Sequence, residues 1–292
     1  MRFIERHTRK HLRTPIVQVI KTYRSLTKDL RVLPDFIIIE ARKCGTTSLY
    51  EYLARHPHVL PALSKELFYF DYHYEQGSDW YRRHFPTQLE KRFYEKALGR
   101  SIITGEATPS YFYEPLAAQR MAKLLPKVKL ILLLREPVAA AYAAYQFGIK
   151  GGSYTAQEII FEKAMRAELE YIEHGGDLFS RRDGSFAINP QCSYLARHAY
   201  IELMKPWFEV FDKDQIKIII SEELFTNSAR VYKEVQEFLG LPVYELSAYD
   251  EFNQNSYDKI EPAIANRMKQ FFAPFNDDLS SFLGKKISWG NR

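Results

Sequence analysis

The chain's 292 residues predict an α/β fold of three layers, a mainly parallel central sheet flanked by helices. Two observations carry that expectation. The runs 36–39 and 128–134 are apolar throughout, as strands buried on both faces must be. Each is followed by a tight turn and then by residues at helical spacing, the alternation that builds parallel sheets.

In chain order, Leu33, Pro34 and Asp35 break a helical N-terminal stretch. Residues 36–39 form the first strand, and Gly45, Thr46, Thr47 and Ser48 make the loop after it. Leu49, Tyr50, Leu53 and Ala54 then recur at helical spacing until His56-Pro57. Residues 57–100 read as irregular and aromatic-rich. A second strand is expected over 101–104, ending at Gly105-Glu106, and a helix over 115–125, stopped by Pro126. Residues 128–134 are the strongest strand, and Pro137 suits the first turn of the helix expected over 138–147. Gly148, Gly151 and Gly152 mark a loop. Helices follow over 156–174 and 192–211, with 176–190 an exposed loop between them. A strand is expected at 216–220, then helices at 228–239 and 262–283. There is no internal repeat. We expect a basic helical arm over 1–33 and one domain over 34–292.

Composition narrows the function classes. Apolar residues make up 46% and charged residues 26%, which excludes a disordered chain, a collagen and a coiled coil. No apolar run reaches the ~20 residues that cross a bilayer. Two cysteines, Cys44 and Cys192, exclude a disulfide framework and a Cys-only zinc site and point to a reducing compartment. The basic N-terminus lacks the apolar segment of a secretory signal, so a cytoplasmic location is expected. Residues 1–31 hold nine Lys/Arg against Glu5 and Asp29, a local net of +7, leaving the rest near −2. The body is therefore no polybasic nucleic-acid binder. The arm is either a solvated helix beside the body or a contact for an anionic membrane (a peripheral contact), a nucleic acid or an acidic partner.

The loop after the first strand carries the chemistry. Arg42, Lys43, Cys44, Gly45, Thr46, Thr47 and Ser48 lie between a buried strand and a helix. A helix start exposes unpaired N–H groups and the positive end of the dipole, which suit an anion. Gly45 lets the backbone approach closely, the hydroxyls add donors, and Lys43 adds charge. A plain capped helix start uses the same residue types. The triphosphate loop GxxxxGK[ST] is not present, since Lys43 precedes Gly45 and Glu40 stands five places before it. A nucleoside-triphosphate kinase is accordingly disfavoured.

The order Lys43-x-Gly45-Thr46-Thr47-Ser48 after an apolar strand resembles the sulfotransferase family, in the branch that includes heparan sulfate sulfotransferases and many bacterial enzymes. Further segments agree in order: SKELFYFD at 64–71, GEATPSYFY at 105–113, LPKVKLILLLREPVAAAYAAYQ at 125–146 and SYLARHAYIELMKPWFEVF at 193–211. The resemblance spans most of the chain from Pro34 to Trp289. It implies the P-loop-like sulfotransferase fold and 3′-phosphoadenosine-5′-phosphosulfate (PAPS) as donor. The product would then be 3′,5′-ADP (PAP); none of His56, His58, His73 and His84 has metal-ligand spacing, so no metal is expected.

The resemblance also assigns roles. Residues 42–48 would hold the 5′-phosphosulfate, with Lys43 stabilising the leaving group. Arg135 would grip the 3′-phosphate. Glu66 takes the general-base position, with Phe68, Tyr69 and Phe70 as an apolar surround that could raise its pKa; the other reading is an exposed Glu in a Lys-Glu surface pair. Lys65 would touch the sulfonate or hold Glu66, and His73 is a reserve base in the same region as His56, His58 and His84; Glu106, at a strand end, either positions Lys43 or the acceptor or has a structural role. Tyr194 and Arg197 would lie near the nucleotide, Tyr194 either meeting adenine or packing in the core, and Ser256 and Tyr257 would lie in a closing loop. Three positions depart from the family: Ala143 replaces the Ser of the 3′-phosphate clamp, Ala140 an Arg, and Glu40 a Gly. The expected function is sulfuryl transfer to a hydroxyl or amine of a small acceptor. The alternative is a PAPS- or PAP-binding relative with weak or lost catalysis.

Overall fold

A computed structural model describes residues 19–20, 22–41, 43–150, 160–182, 185–189, 193–250, 260–287 and 289. Seven strands are described: β1 Phe36–Glu40, β2 Val59–Pro61, β3 Ile103–Ala107, β4 Lys129–Leu134, β5 Phe179–Arg182, β6 Ser185–Ile188 and β7 Ile216–Ile220. Five make one parallel sheet in the order β2-β3-β1-β4-β7. Every residue of β1 is buried, as is β4 after Lys129, which is why both read as unbroken apolar runs.

Helices cover both faces. On one, α1 (Thr46–Ala54) meets α10 (Ser228–Leu239), where the Tyr52 and Tyr232 rings cross at 6.0 Å and the Tyr232 hydroxyl donates to Tyr52 O at 3.1 Å. On the other, α4 (Ala117–Leu124) packs on α8 (Tyr200–Phe208). From β1 the chain moves to the β2–β3 side, and from β4 it moves to β7. The loops leaving β1 and β4 therefore diverge and open a crevice at the carboxyl ends of the strands, where α/β sheets bind ligands.

Several expectations shift. The second strand is β3, which runs through Gly105 and Glu106 instead of ending there. A Cβ on Gly105 would lie 2.5 Å from Phe36, so this glycine serves close strand packing rather than a turn. Residues 57–100 are not irregular: they hold β2, α2 (Gly77–Arg82) and α3 (Gln88–Leu98). A capping box between Thr87 and Glu90 starts α3, and left-handed Gly99 stops it. Gly148 lies inside α5 (Pro137–Lys150), since one glycine does not end a helix held by its neighbours. The helix expected over 156–174 is α6 (Phe161–Glu173). The expected loop at 176–190 contains the antiparallel hairpin β5–β6.

The helix expected over 192–211 is two, α7 (Ser193–His198) and α8, broken at Ala199, whose ψ of 66° is not helical. Beyond β7 the short α9 (Ser221–Thr226) precedes α10, and α11 spans Pro262–Leu283. Residues 22–26 of the arm are helical and lie against the body. Arg24 donates to Arg83 O and Phe85 O at 2.7 and 2.8 Å, Arg31 donates to Phe85 O at 2.7 Å, and Lys28 pairs with Asp79. Arm residues 1–18 and Lys21 lie outside the described residues. No described helix is long and apolar enough to cross a membrane.

Candidate active site

The crevice is built from the loop after β1, the end of β4 and a strap over residues 65–70. In the first loop Lys43 and Gly45 are both left-handed, at φ 71° and 103°. Gly45 also sits tight: a Cβ there would lie 3.1 Å from the Phe225 ring. This twist lets α1 start at Thr46 with its amides toward the crevice. The side chains of Thr46 and Ser48 are buried, and Thr47 is partly open. Buried Cys44 has its thiol pushed well up by burial, which makes it a packing group.

Two contacts tie this loop to β4. The Ser221 hydroxyl lies between Cys44 O and Leu134 O, at 2.6 and 2.9 Å. Arg135 Nη1 donates to Lys43 O at 3.2 Å, which brings the two expected phosphate-binding elements together. The end of β4 is itself anchored. Tyr200 donates to Arg135 O at 3.0 Å, and Glu136 N donates to Glu222 Oε1 at 3.0 Å. Glu136 caps α5 by accepting from Ala139 N at 2.7 Å. The Lys43 ammonium lies 3.8 Å from the centre of the Phe147 ring.

The strap places Lys65 and Glu66 beside the loop. Lys65 Nζ donates to Thr47 Oγ1 at 2.9 Å and to Glu66 Oε1 at 3.1 Å, a chain from anion loop to carboxylate. The expected apolar surround of Glu66 is absent. Its side chain is 41% exposed, whereas Tyr69 and Phe70 are buried in the core. Phe68 is left-handed at φ 52°, so the two non-glycine residues with positive φ among those described, Lys43 and Phe68, both flank the crevice.

Glu106 does not reach toward Lys43; it mounts the strap from below. Oε1 accepts from the Tyr81 and Tyr111 hydroxyls at 2.8 and 2.9 Å, and Oε2 from Thr108 at 2.6 Å. Thr108 in turn accepts from Leu67 N at 3.1 Å, and Tyr111 from Tyr69 N at 2.8 Å. Burial pushes the Glu106 carboxyl up to about 7, against the three hydroxyl donors that favour the ionised form. Sequence reasoning missed Tyr81 altogether. Thr108 and Tyr111 stand in the quoted 105–113 segment, but their role becomes visible only once that segment lies under the strap.

Glu40 does not point away from the loop. It is buried, and its Oε2 accepts from Thr46 N at 2.9 Å. Burial pushes this carboxyl up to about 7, with the Thr46 amide and hydroxyl pulling it down. Ala140 and Ala143 are both buried.

The structure separates the other candidates. His73 is exposed and packs on Trp80, with ring centres 4.9 Å apart. His56 lies against Pro242 O at 2.9 Å and accepts from His58 N at 3.0 Å. His58 and His84 lie against backbone carbonyls of Ser101 and Tyr81. Tyr194 is buried in a second apolar cluster with Tyr145 and Phe161. Its amide and that of Leu195 donate to Glu168, at 3.2 and 2.9 Å. Arg197 stands over the Tyr113 ring at 5.7 Å, and its buried Nε has no hydrogen-bond partner among the described residues. Arg42, Ser256 and Tyr257 lie outside the described residues.

Comparison with known proteins gives a consistent picture. The family model for the sulfotransferase domain matches residues 33–273. The membrane-associated sulfotransferase kil1 of Dictyostelium discoideum is 27% identical, over 90% of this chain and 68% of its own length. Human heparan sulfate glucosamine 3-O-sulfotransferase 5 is 24% identical, over 88% of this chain and 74% of its own. The crystal structure of a sulfotransferase from Alicyclobacillus acidocaldarius superposes with a TM-score of 0.61 at 25% identity. That match covers 88% of this chain and 98% of the other.

Proposed function

Since the chain belongs to the sulfotransferase family and is a transferase, we propose that its donor is PAPS and its acceptor a hydroxyl or amine of a small molecule. The observation that carries this reading is the chain of contacts from Thr47 through Lys65 to Glu66, which sets a half-exposed carboxylate one side chain from the anion loop. In the reaction the acceptor oxygen or nitrogen attacks sulfur, the S–O bond to the 5′-phosphate breaks, and the acceptor proton passes to Glu66. Charge then grows on the leaving phosphate. The amides at the start of α1 and the Lys43 ammonium, drawn off Phe147, stabilise it. Arg135 takes the 3′-phosphate, and Arg197 Nε, without a partner among the described residues, suits a further acceptor on the nucleotide.

The small acceptor is favoured by charge, because outside residues 1–31 the chain nets about −2, a poor surface for a sulfated polyanion. A glycan acceptor is the second reading, favoured by the heparan sulfate enzymes among the relatives. The arm, rich in Lys and Arg, suits contact with an anionic membrane, in keeping with the membrane-associated relative, and the body then works on the cytoplasmic side. The test is labelled-sulfate transfer from PAPS to a panel of small alcohols, phenols and amines and to desulfated heparan, alongside titration with PAP and 5′-AMP. We expect transfer to a small acceptor and preferential binding of PAP. Glu66→Gln should lower kcat by about 10²–10⁴ and leave PAP affinity unchanged. PAP binding with no transfer to any acceptor would favour the catalytically lost relative. Absence of PAP binding would remove the donor assignment.

A further inference from the structure

The last residue of β1 brings a negative charge to the place where the donor's negative charge must go. Glu40 is 4% exposed, and its carboxylate holds the amide of Thr46, the first residue of α1. That amide is among the unpaired donors that a phosphosulfate at this helix start would use. Without nucleotide, the protein's own carboxylate therefore sits as the anion.

The groups around it can be named. From α1 come the Thr46 amide and hydroxyl, and from the loop the thiol of Cys44. From the strap come the Lys65 ammonium, which favours the charge, and the Glu66 carboxylate, which opposes it. From β4 the register partner is Leu133, which brings no charge. Arg135 and Glu222 act on the neighbouring Cys44. A phosphate entering beside Glu40 would add negative charge next to two carboxylates, one of which, Glu66, already holds the Lys65 ammonium at 3.1 Å.

We propose that Glu40 makes donor binding proton-coupled: its carboxylate holds the Thr46 amide in the free protein and takes up one proton from solvent when the nucleotide's phosphate takes its place. The inference rests on the donor reading above. The protonated acid stays buried as a neutral group, and its O–H becomes a donor toward the phosphate. Burial already places the free carboxyl at about 7, so the proton is available near neutral pH and scarce above it.

The test is calorimetric titration of the full chain with PAP in two buffers of different ionisation enthalpy, for wild type and Glu40→Gln, from pH 6.5 to 8.5. Glutamine keeps the size and one oxygen for the Thr46 amide. The ligand's own phosphates titrate near pH 6 in both titrations, so the difference between the proteins reads Glu40 alone. Wild type should take up most of one proton more than Glu40→Gln at pH 8. The variant should bind PAP about tenfold more tightly there, with the gap closing toward pH 6.5. Equal proton uptake and equal affinity, with PAP bound well by both, would overturn the proposal and leave the donor reading standing. Absence of PAP binding by both proteins at every pH would overturn the donor reading and the proposal with it. Should Glu40→Gln fold poorly, wild type alone decides, because uptake that does not exceed the ligand's own titration refutes the coupling.

Discussion

Thr108 is a single hydroxyl on which the strap depends. It accepts from Leu67 N at 3.1 Å and, weakly, from Phe68 N at 3.5 Å, so its own proton goes to Glu106 Oε2 at 2.6 Å. Thr108→Val keeps the shape and removes all three bonds. Leu67 is 3% exposed, so its amide would be left without water or partner, a loss of about 1–3 kcal/mol. Glu106 would lose a hydrogen bond to a buried carboxylate, about 1.5–3 kcal/mol more. A destabilisation of about 2.5–6 kcal/mol follows, read as the change in urea unfolding free energy at pH 7.5. Thr108→Ser keeps the hydroxyl and should lose about 1 kcal/mol, for the missing methyl. Hydrogen exchange at Leu67 should speed up in the valine variant alone. Sulfotransfer should lose kcat before donor affinity, since the strap carries Glu66 and the loop does not depend on Thr108. A valine variant within 1 kcal/mol of wild type, with exchange at Leu67 unchanged, would refute the claim that this hydroxyl mounts the strap.

Three further outcomes follow from the same geometry. The Glu168 carboxyl is pushed by burial from 4.5 up to about 7, so the folded state keeps a proton that the unfolded chain releases between those values. The stability of wild type relative to Glu168→Gln should therefore be greatest below about pH 4.5 and fall by about 3 kcal/mol as pH rises to about 7. The difference between the two proteins is the quantity to follow by urea unfolding, because His84 and His198, lowered to about 4 by burial, act in the opposite direction. Gly45→Ala forces a side chain into φ 103° with its Cβ 3.1 Å from Phe225, and should lower stability by about 1–3 kcal/mol and weaken PAP binding; unchanged melting and affinity would contradict the strain. Ala143→Ser restores a hydroxyl beside the expected 3′-phosphate and should raise the preference for PAP over 5′-AMP by about tenfold in competition titrations. An unchanged ratio would place the 3′-phosphate elsewhere.

What could be read in advance depended on how local the signal is. The buried strands 36–39 and 128–134 announced themselves because both faces are covered and no polar residue interrupts them. The helices at 228–239 and 262–283 matched to the residue, since their periodicity and closing glycines lie within one element. The loop after β1 was legible because its signal is local: a strand end, a left-handed glycine and a helix start. Gly105 misled, because its reason is the Phe36 ring on another strand. The helix α3 was overlooked although Thr87, Glu90 and Gly99 mark both its ends. The neighbours of Glu66 in sequence allow either an aromatic pocket or an exposed pair with Lys65, and the exposed pair is what forms. The strap turns Tyr69 and Phe70 inward and leaves Glu66 at the mouth.

The unread part has a common physical cause, the need of irregular backbone for acceptors. Several irregular segments leave amides that no strand or helix pairs, and a buried carboxylate meets each, directly or through a hydroxyl. Glu40 takes Thr46 N, and Glu222 takes Glu136 N across 86 residues. Glu168 takes Tyr194 N and Leu195 N across 26 and 27 residues. Glu106 reaches the strap through Thr108 and Tyr111. Burial pushes all four carboxyls up, and amide or hydroxyl donors pull each back down, so each remains an acceptor only while its segment stays in place. Three of these carboxylates only hold their segments. Glu40 differs in kind, because the amide it holds is one that the proposed donor would use. Structural support and ligand binding therefore compete at that residue alone, and a substitution there should change the proton balance of binding, whereas substitutions at the other three should change stability.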